Sequence, residues 1–233
     1  NALREMKEHV RIQKPQRQQY EELFGEGTFP GDFPSDAELD AFAERKLLSY
    51  LKLDLAEGVV DPPPANDSEE TYAEIMELID IAELASEEEK NDFSFFDDKV
   101  AGHYYDYCRQ NNLKFSKDLV SSLYTQVTTL CLNYKYKYNR PRPKQVARSV
   151  GLPLSVSYSR TADSPAYPSG HACQSRFLSL FFATIHPQHR SQFIDLGERC
   201  ARSRLTSGLH YPSDSESGKK LAEVLFSRLD ISD

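Results

Sequence analysis

Three short blocks hold the residues whose types and spacing could do chemistry. In the first, Lys135 and Arg142-Pro143 are seven positions apart, and a helix would bring both cations to one face, two turns apart. Such a pair could bind an oxyanion. A solvated basic surface would look the same, and so would a nucleic-acid face, because Tyr134, Tyr136 and Tyr138 interleave the bases. The second block is Tyr167-Pro-Ser-Gly-His171, where a loop turns into a helix. Free backbone N–H groups at a helix start favour an anion. Gly170 permits close approach of a ligand, the Ser169 hydroxyl can donate a further bond, and His171 can exchange protons beside it. The plain alternative is an ordinary helix start with Ser169 as N-cap.

The third block is Ser203-Arg204, then His210, then Asp214. A guanidinium fork suits phosphate oxygens. Asp214, in the first turn of a helix opened by Pro212 and a cap at Ser213, could accept the Nδ1 proton of His210 and free Nε2 as a nucleophile. Asp214 could equally be a first-turn carboxylate and His210 a half-buried loop residue. Neither bland reading explains why all three blocks carry complementary anion chemistry. Together they supply three cations, a nest of N–H groups and two histidines, an inventory for phosphoryl transfer.

The elements that must position these blocks read as helices. A capping box at Ser35–Glu38 opens one through about Leu53, and Asp61-Pro-Pro-Pro64 is a stiff connection. Asp67 with Glu70 can cap the next helix, whose apolar stripe is Tyr72, Ile75, Met76 and Ile79. Phe93 to about Gln110 is aromatic-rich and helical. Ser116 caps a long helix with Val120, Leu123, Tyr124, Val127, Leu130, Cys131 and Tyr134 on one face, ended by Pro141 and Pro143. Gly151 to Pro168 is a loop, followed by helices from about Ser169 to Ile185 and from Pro187 to near Gly208. A second capping box, Ser213–Glu216, starts the last helix with Leu221, Leu225 and Leu229 inside. No repeat and no alternating strand pattern stands out. The expectation is an all-α, single-domain helical bundle over residues 1–233, with N-terminal helices and the proline-rich connection in 1–110 and the three blocks in 116–230.

Composition narrows the classes. Of the 233 residues, 39% are hydrophobic and 11% aromatic, which excludes a wholly disordered chain. No apolar stretch approaches the ~20 residues of a membrane span. No signal-peptide core follows Asn1, although a chain that starts without Met leaves a removed leader open. The net charge of −8 argues against a general nucleic-acid binder. Its distribution is lopsided. Residues 54–98 hold 16 acids against the single base Lys90, whereas 135–210 hold 12 bases against 3 acids, a setting for a local anion site. Cys108, Cys131, Cys173 and Cys200 show no metal-ligand spacing and read as buried apolar side chains, with a disulfide still open.

The blocks resemble the signature K-x6-R-P, P-S-G-H and S-R-x5-H-x3-D of the type 2 phosphatidic-acid phosphatase and vanadium haloperoxidase superfamily, with every position filled between Lys135 and Asp214. The doubled Arg-Pro is resolved by spacing, since Asn133 stands where Arg140 would need its lysine. Within that superfamily the chain looks most like the soluble class A nonspecific acid phosphatases, which have a similar proline-rich stretch. The acidic segment has no counterpart that the resemblance supplies. The resemblance implies a helical bundle and a metal-independent phosphomonoesterase with no cofactor. In it Lys135, Arg142, Arg204, Ser169 and the Gly170 amide hold the phosphoryl oxygens. His210 forms a phosphohistidine, Asp214 orients its ring, and His171 protonates the leaving alcohol and later activates water. It also implies a small phosphorylated substrate, neither nucleic-acid nor membrane partners, a homo-oligomer as in many relatives, and an exported or periplasmic setting, with the cytoplasm left open.

Three alternatives stand beside this reading. A vanadate-dependent haloperoxidase would hold vanadate on His210, but such enzymes are usually longer. A non-catalytic phosphate- or nucleic-acid-binding module would need the cations but no nucleophile. A Ser169–His210–Asp214 hydrolase would lack the G-x-S-x-G elbow and leave the cations unexplained. His9, His103, His186 and His189 read as structural or exposed.

Overall fold

A computed structural model describes residues 59–229, and all of their regular elements are helical. They are α1 (Glu69–Leu84), α2 (Glu87–Phe96), α3 (Val100–Gln110), α4 (Lys117–Tyr138), α5 (Pro143–Ser149), α6 (Gly170–Ile185), a 3-10 turn (Pro187–His189), α7 (Arg190–Thr206) and α8 (Pro212–Ser227). The expected helix from Ser35 to Leu53, and His9, lie outside the described residues. No described helix is long and apolar enough to cross a membrane.

The apolar α6 is the central post, packed by α7, α8, α4 and α3. Its Phe177, Leu178 and Phe182 are buried against Tyr104 of α3, Leu130 of α4, Phe193 of α7 and Leu221 of α8. Tyr104, Phe182 and Phe193 stack with ring centroids 5.2–6.2 Å apart, and the Tyr104 hydroxyl donates to the Ser175 carbonyl at 2.8 Å. The four cysteines are buried free thiols. Gly218 lets α8 lie directly on the start of α6, since a Cβ there would sit 2.5 Å from the Ser169 carbonyl oxygen.

Several sequence expectations shift. Ser68 rather than Asp67 caps α1, accepting from the Thr71 N–H. The buried face of α1 is Thr71, Ile75 and Leu78, and Tyr72 and Met76 stay exposed, because the helix is docked through Thr71 and Glu74 toward the site. The helix expected from Phe93 to Gln110 breaks at Asp97–Lys99, where the chain turns to bring Asp97 inward. The last helix begins one residue before the expected Ser213 box. Pro212 takes N1, and at N3 the Asp214 carboxylate accepts the Tyr211 N–H at 3.0 Å.

The charge asymmetry is partly structural rather than solvated. Acids of the N-terminal run meet bases of the C-terminal half in Glu74–Arg140, Asp92–Arg199, Glu89–Arg202 and Asp97–Arg204. Exposed pairs of this kind contribute ~0–1 kcal/mol each. Those of Arg140 and Arg204 belong to buried guanidiniums and matter to the site.

Candidate active site

The three blocks are brought to one place by specific backbone ties. α4 ends at Asn139, whose left-handed conformation (φ 50°) turns the chain sharply before Arg142. Lys135 and Arg142 therefore do not share a helical face as the spacing suggested. Lys135 projects from α4, and Arg142 stands in extended backbone ahead of α5. The Arg140 carbonyl accepts the Ala166 N–H at 2.8 Å, and the Asp214 carbonyl accepts the Ser169 N–H at 2.8 Å. The second block is thus laced to the first and to the third.

Lys135, Arg142, Gly170, His171, Arg204 and His210 line one cavity of about 200 Å³. Ser169 lies beneath it, fully buried, with its hydroxyl oxygen accepting the Ala172 N–H as N-cap, and Asp214 lies behind His210. Val100, Tyr124 and Leu132 add an apolar wall, and Thr128 with Gln174, bonded at 2.8 Å, a polar one.

Each cation is held but not consumed. Lys135 Nζ donates to the carbonyls of Pro165 (2.6 Å) and Ala166 (3.2 Å). Burial, then the neighbouring Arg142, pulls it down to about 7. Arg142 grips the Ser164 carbonyl through Nε and Nη2 and the Leu209 carbonyl through Nη1, and burial lowers it to about 10. Arg204 Nη1 donates to Asp97 Oδ1 at 2.8 Å. Asp97 also accepts from the Ser159 and Thr161 hydroxyls. Burial pushes its carboxyl up, but Ser159 and Arg204 outweigh that and hold it below its ordinary value.

The two histidines are set in opposite ways. His210 Nδ1 lies 3.1 Å from Asp214 Oδ2, and Nε2 lies 3.0 Å from Arg142 Nη1. Since a guanidinium can only donate, Nε2 carries the lone pair and Nδ1 the proton, which Asp214 accepts. Burial, then Arg142, Lys135 and Arg204, hold His210 well below the usual imidazole range. His171 Nε2 instead donates to the Asp97 carbonyl at 3.0 Å, leaving Nδ1 as its basic nitrogen. Burial, then Arg204, take it to about 3. Both rings are therefore held neutral near neutral pH.

Behind Asp214 lies a group that the sequence did not single out. Arg140, fully buried, donates to Asp214 Oδ1 and to Glu74 Oε2, each at 2.8 Å. Asp97 and Glu74 were hidden among the 16 acids of residues 54–98, where type and spacing do not separate a buried carboxylate from a solvated one. The one signal in the sequence was the doubled Arg-Pro, which marked Arg140 without giving it a partner.

Residues 118–226 match the family model described as the PAP2 superfamily. A nonspecific acid phosphatase of Salmonella typhi is 33% identical over 64 residues, and one of Salmonella typhimurium is 31% identical over 64. Each match takes in 28% of this chain and 26% of the relative, so only about a quarter of the phosphatases' length is compared. The crystal structure of a bacterial vanadium-dependent iodoperoxidase superposes with a TM-score of 0.60 at 23% identity, over 76% of this chain and 54% of that one, a likeness of fold. The region from 118 to 226, which carries all three blocks, is thus similar to the PAP2 superfamily, and the described helices share the fold of the iodoperoxidase.

Proposed function

We propose that the protein is a phosphomonoesterase that works through a phosphohistidine and needs no metal ion. The observation that carries this reading is His210, a neutral imidazole on the wall of a cavity lined by Lys135, Arg142 and Arg204, whose Nδ1–H is fixed by Asp214 and whose Nε2 lone pair meets only Arg142 Nη1, a donor that a phosphoryl oxygen can draw away. A phosphoryl group in that cavity would meet three cations and the Gly170 N–H at the start of α6, groups placed before the reaction begins. His210 Nε2 attacks phosphorus as the bond to the alcohol oxygen breaks. The resulting imidazolium charge is countered by Asp214. His171, once protonated, gives the alcohol its proton, then takes one from the water that cleaves the P–N bond and frees phosphate. Val100, Tyr124 and Leu132 would receive the alcohol.

The acid phosphatases matched by sequence support this chemistry, although they are compared over a small share of their length. The iodoperoxidase fold offers a second reading, in which the same cations would fit vanadate as a tetrahedral oxyanion and the site would oxidise halide. A screen of phosphomonoesters and nucleotides in EDTA, run beside bromide and iodide oxidation with vanadate and peroxide, separates the two. Ester hydrolysis that vanadate inhibits supports the phosphatase. Halide oxidation without hydrolysis overturns it.

A further inference from the structure

We propose that Glu74, through Arg140, is a positioning residue for the His210–Asp214 pair, so that the acidic helix α1 forms part of the catalytic apparatus rather than a solvated face. This rests on the reading of His210 as nucleophile.

Glu74 makes two kinds of bond at once. Its Oε2 accepts from Arg140 Nη2 at 2.8 Å, and its Oε1 accepts from the Ser213 N–H at 2.6 Å. That N–H is one of the unpaired donors in the first turn of α8, where a carboxylate is favoured by the helix dipole as well. Arg140 Nη1 in turn donates to Ser213 Oγ at 2.7 Å and to Asp214 Oδ1 at 2.8 Å. Its guanidinium lies 3.8 Å from the centroid of the Tyr211 ring. The carboxylate of α1 therefore holds Ser213 directly and, through Arg140, the Tyr211 ring and Asp214, and Asp214 can hold its Oδ2 toward His210 Nδ1 only while that first turn stays fixed.

The charges explain why a second carboxylate is useful. Asp214 has no exposure, and burial raises its carboxyl while Arg140 opposes that rise. Arg140 alone would keep Asp214 ionised but would also neutralise it. Sharing Arg140 with the partly exposed Glu74 leaves the trio one negative charge. That remaining charge is what an imidazolium at His210 would face, close to three cations that disfavour it. Replacing Glu74 with a neutral amide removes the surplus charge and, because both carboxylate oxygens accept, also one of the two acceptors that hold Arg140 and the Ser213 N–H.

The test compares the full chain with Glu74→Gln, measuring turnover of a phosphomonoester, inhibition by inorganic phosphate and the NMR resonance of the His210 Nδ1 proton. Expected for Glu74→Gln are a kcat reduced roughly tenfold, the scale of other outer-partner substitutions, a Ki for phosphate that does not change, and an upfield move of the Nδ1–H resonance. An unchanged kcat and resonance would overturn the proposal. So would a kcat loss matched by weaker phosphate binding and a lower Tm, with the resonance in place, because that is simple loosening of the fold. Glu74→Asp, which keeps the charge and shortens the reach, carries the same comparison if Glu74→Gln loses its helicity. If the parent protein hydrolyses no ester, the phosphatase reading falls, and the resonance alone decides whether Glu74 governs the His210–Asp214 pair.

Discussion

Burial and Arg204 keep His171 neutral near neutral pH, yet the proposed mechanism needs it as an acid, so anion binding must charge it. The magnitudes follow from the surroundings. Burial and Arg204 hold the ring at about 3, against the Asp97 carbonyl that favours the charged form. A dianion in the cavity adds two negative charges. At a separation of ~5 Å and an effective dielectric of ~20, each favours the imidazolium by ~3 kcal/mol. With ~1.4 kcal/mol for each tenfold change in proton affinity, one charge brings ionisation of His171 into the weakly acid range and two bring it near neutrality. Tungstate is a suitable probe, being a tetrahedral dianion with no proton of its own to gain near neutral pH. At about pH 6 Lys135, with an ordinary value displaced to about 7, is already mostly protonated and contributes little. Calorimetry in buffers of different ionisation enthalpy should show that tungstate binding takes up protons, and that His171→Gln lowers the uptake by about one proton per site. Tungstate that binds with no proton uptake, or with uptake that ignores His171→Gln, would refute the reasoning.

Two other outcomes follow from the same geometry. Asp97→Asn leaves Arg204 without its carboxylate, which should cost ~1–3 kcal/mol of stability. Inorganic phosphate should bind more tightly, because the guanidinium then has no competing anion. Weaker phosphate inhibition in that variant would count against the account of Arg204. For pH, His171 and His210 both titrate lower in the fold than the ~6.5 of an unfolded chain, so below that pH the unfolded state binds more protons. Their contribution to stability is complete above pH ~6.5 and is lost as pH falls toward the folded values, by up to ~1.4 kcal/mol per pH unit for each ring. Thermal melts of the protein without phosphate should therefore drop between about pH 6.5 and 5, and phosphate should blunt the drop by binding the folded state and charging His171 there. A flat profile in that window would show that the rings are not buried neutral.

Much of the site was legible because its chemistry sits in short segments of fixed spacing. Arg204, His210 and Asp214 are joined by a tight turn and the first turn of α8, and Gly170 and His171 open α6, so local sequence nearly determines their placement. Ser116, with an apolar face following it, marked α4 correctly for the same reason. Lys135 and Arg142 were recognised by type but placed by the wrong geometry. The 3.6-residue period was carried through Asn139, where a left-handed residue ends the helix. The partners that came only with the fold are long-range. Asp97 meets Arg204 and Glu74 meets Arg140 across 107 and 66 positions, and each acid was one of many in a run with no local mark of burial. The stripe on α1 was read a little off its true face: Ile75 and Leu78 pack with Val146, Ala166 and Tyr211, while Glu74 turns toward Arg140 and Tyr72 and Met76 are left outside.

The most direct measurement of the central claim is acid-labile phosphate on the chain itself. Incubation with a phosphomonoester, rapid quenching and mass spectrometry under alkaline conditions should find a single phosphoryl group on His210 Nε2, absent from His210→Ala. A protein that turns over substrate with no such adduct, or carries it on another residue, would contradict the account.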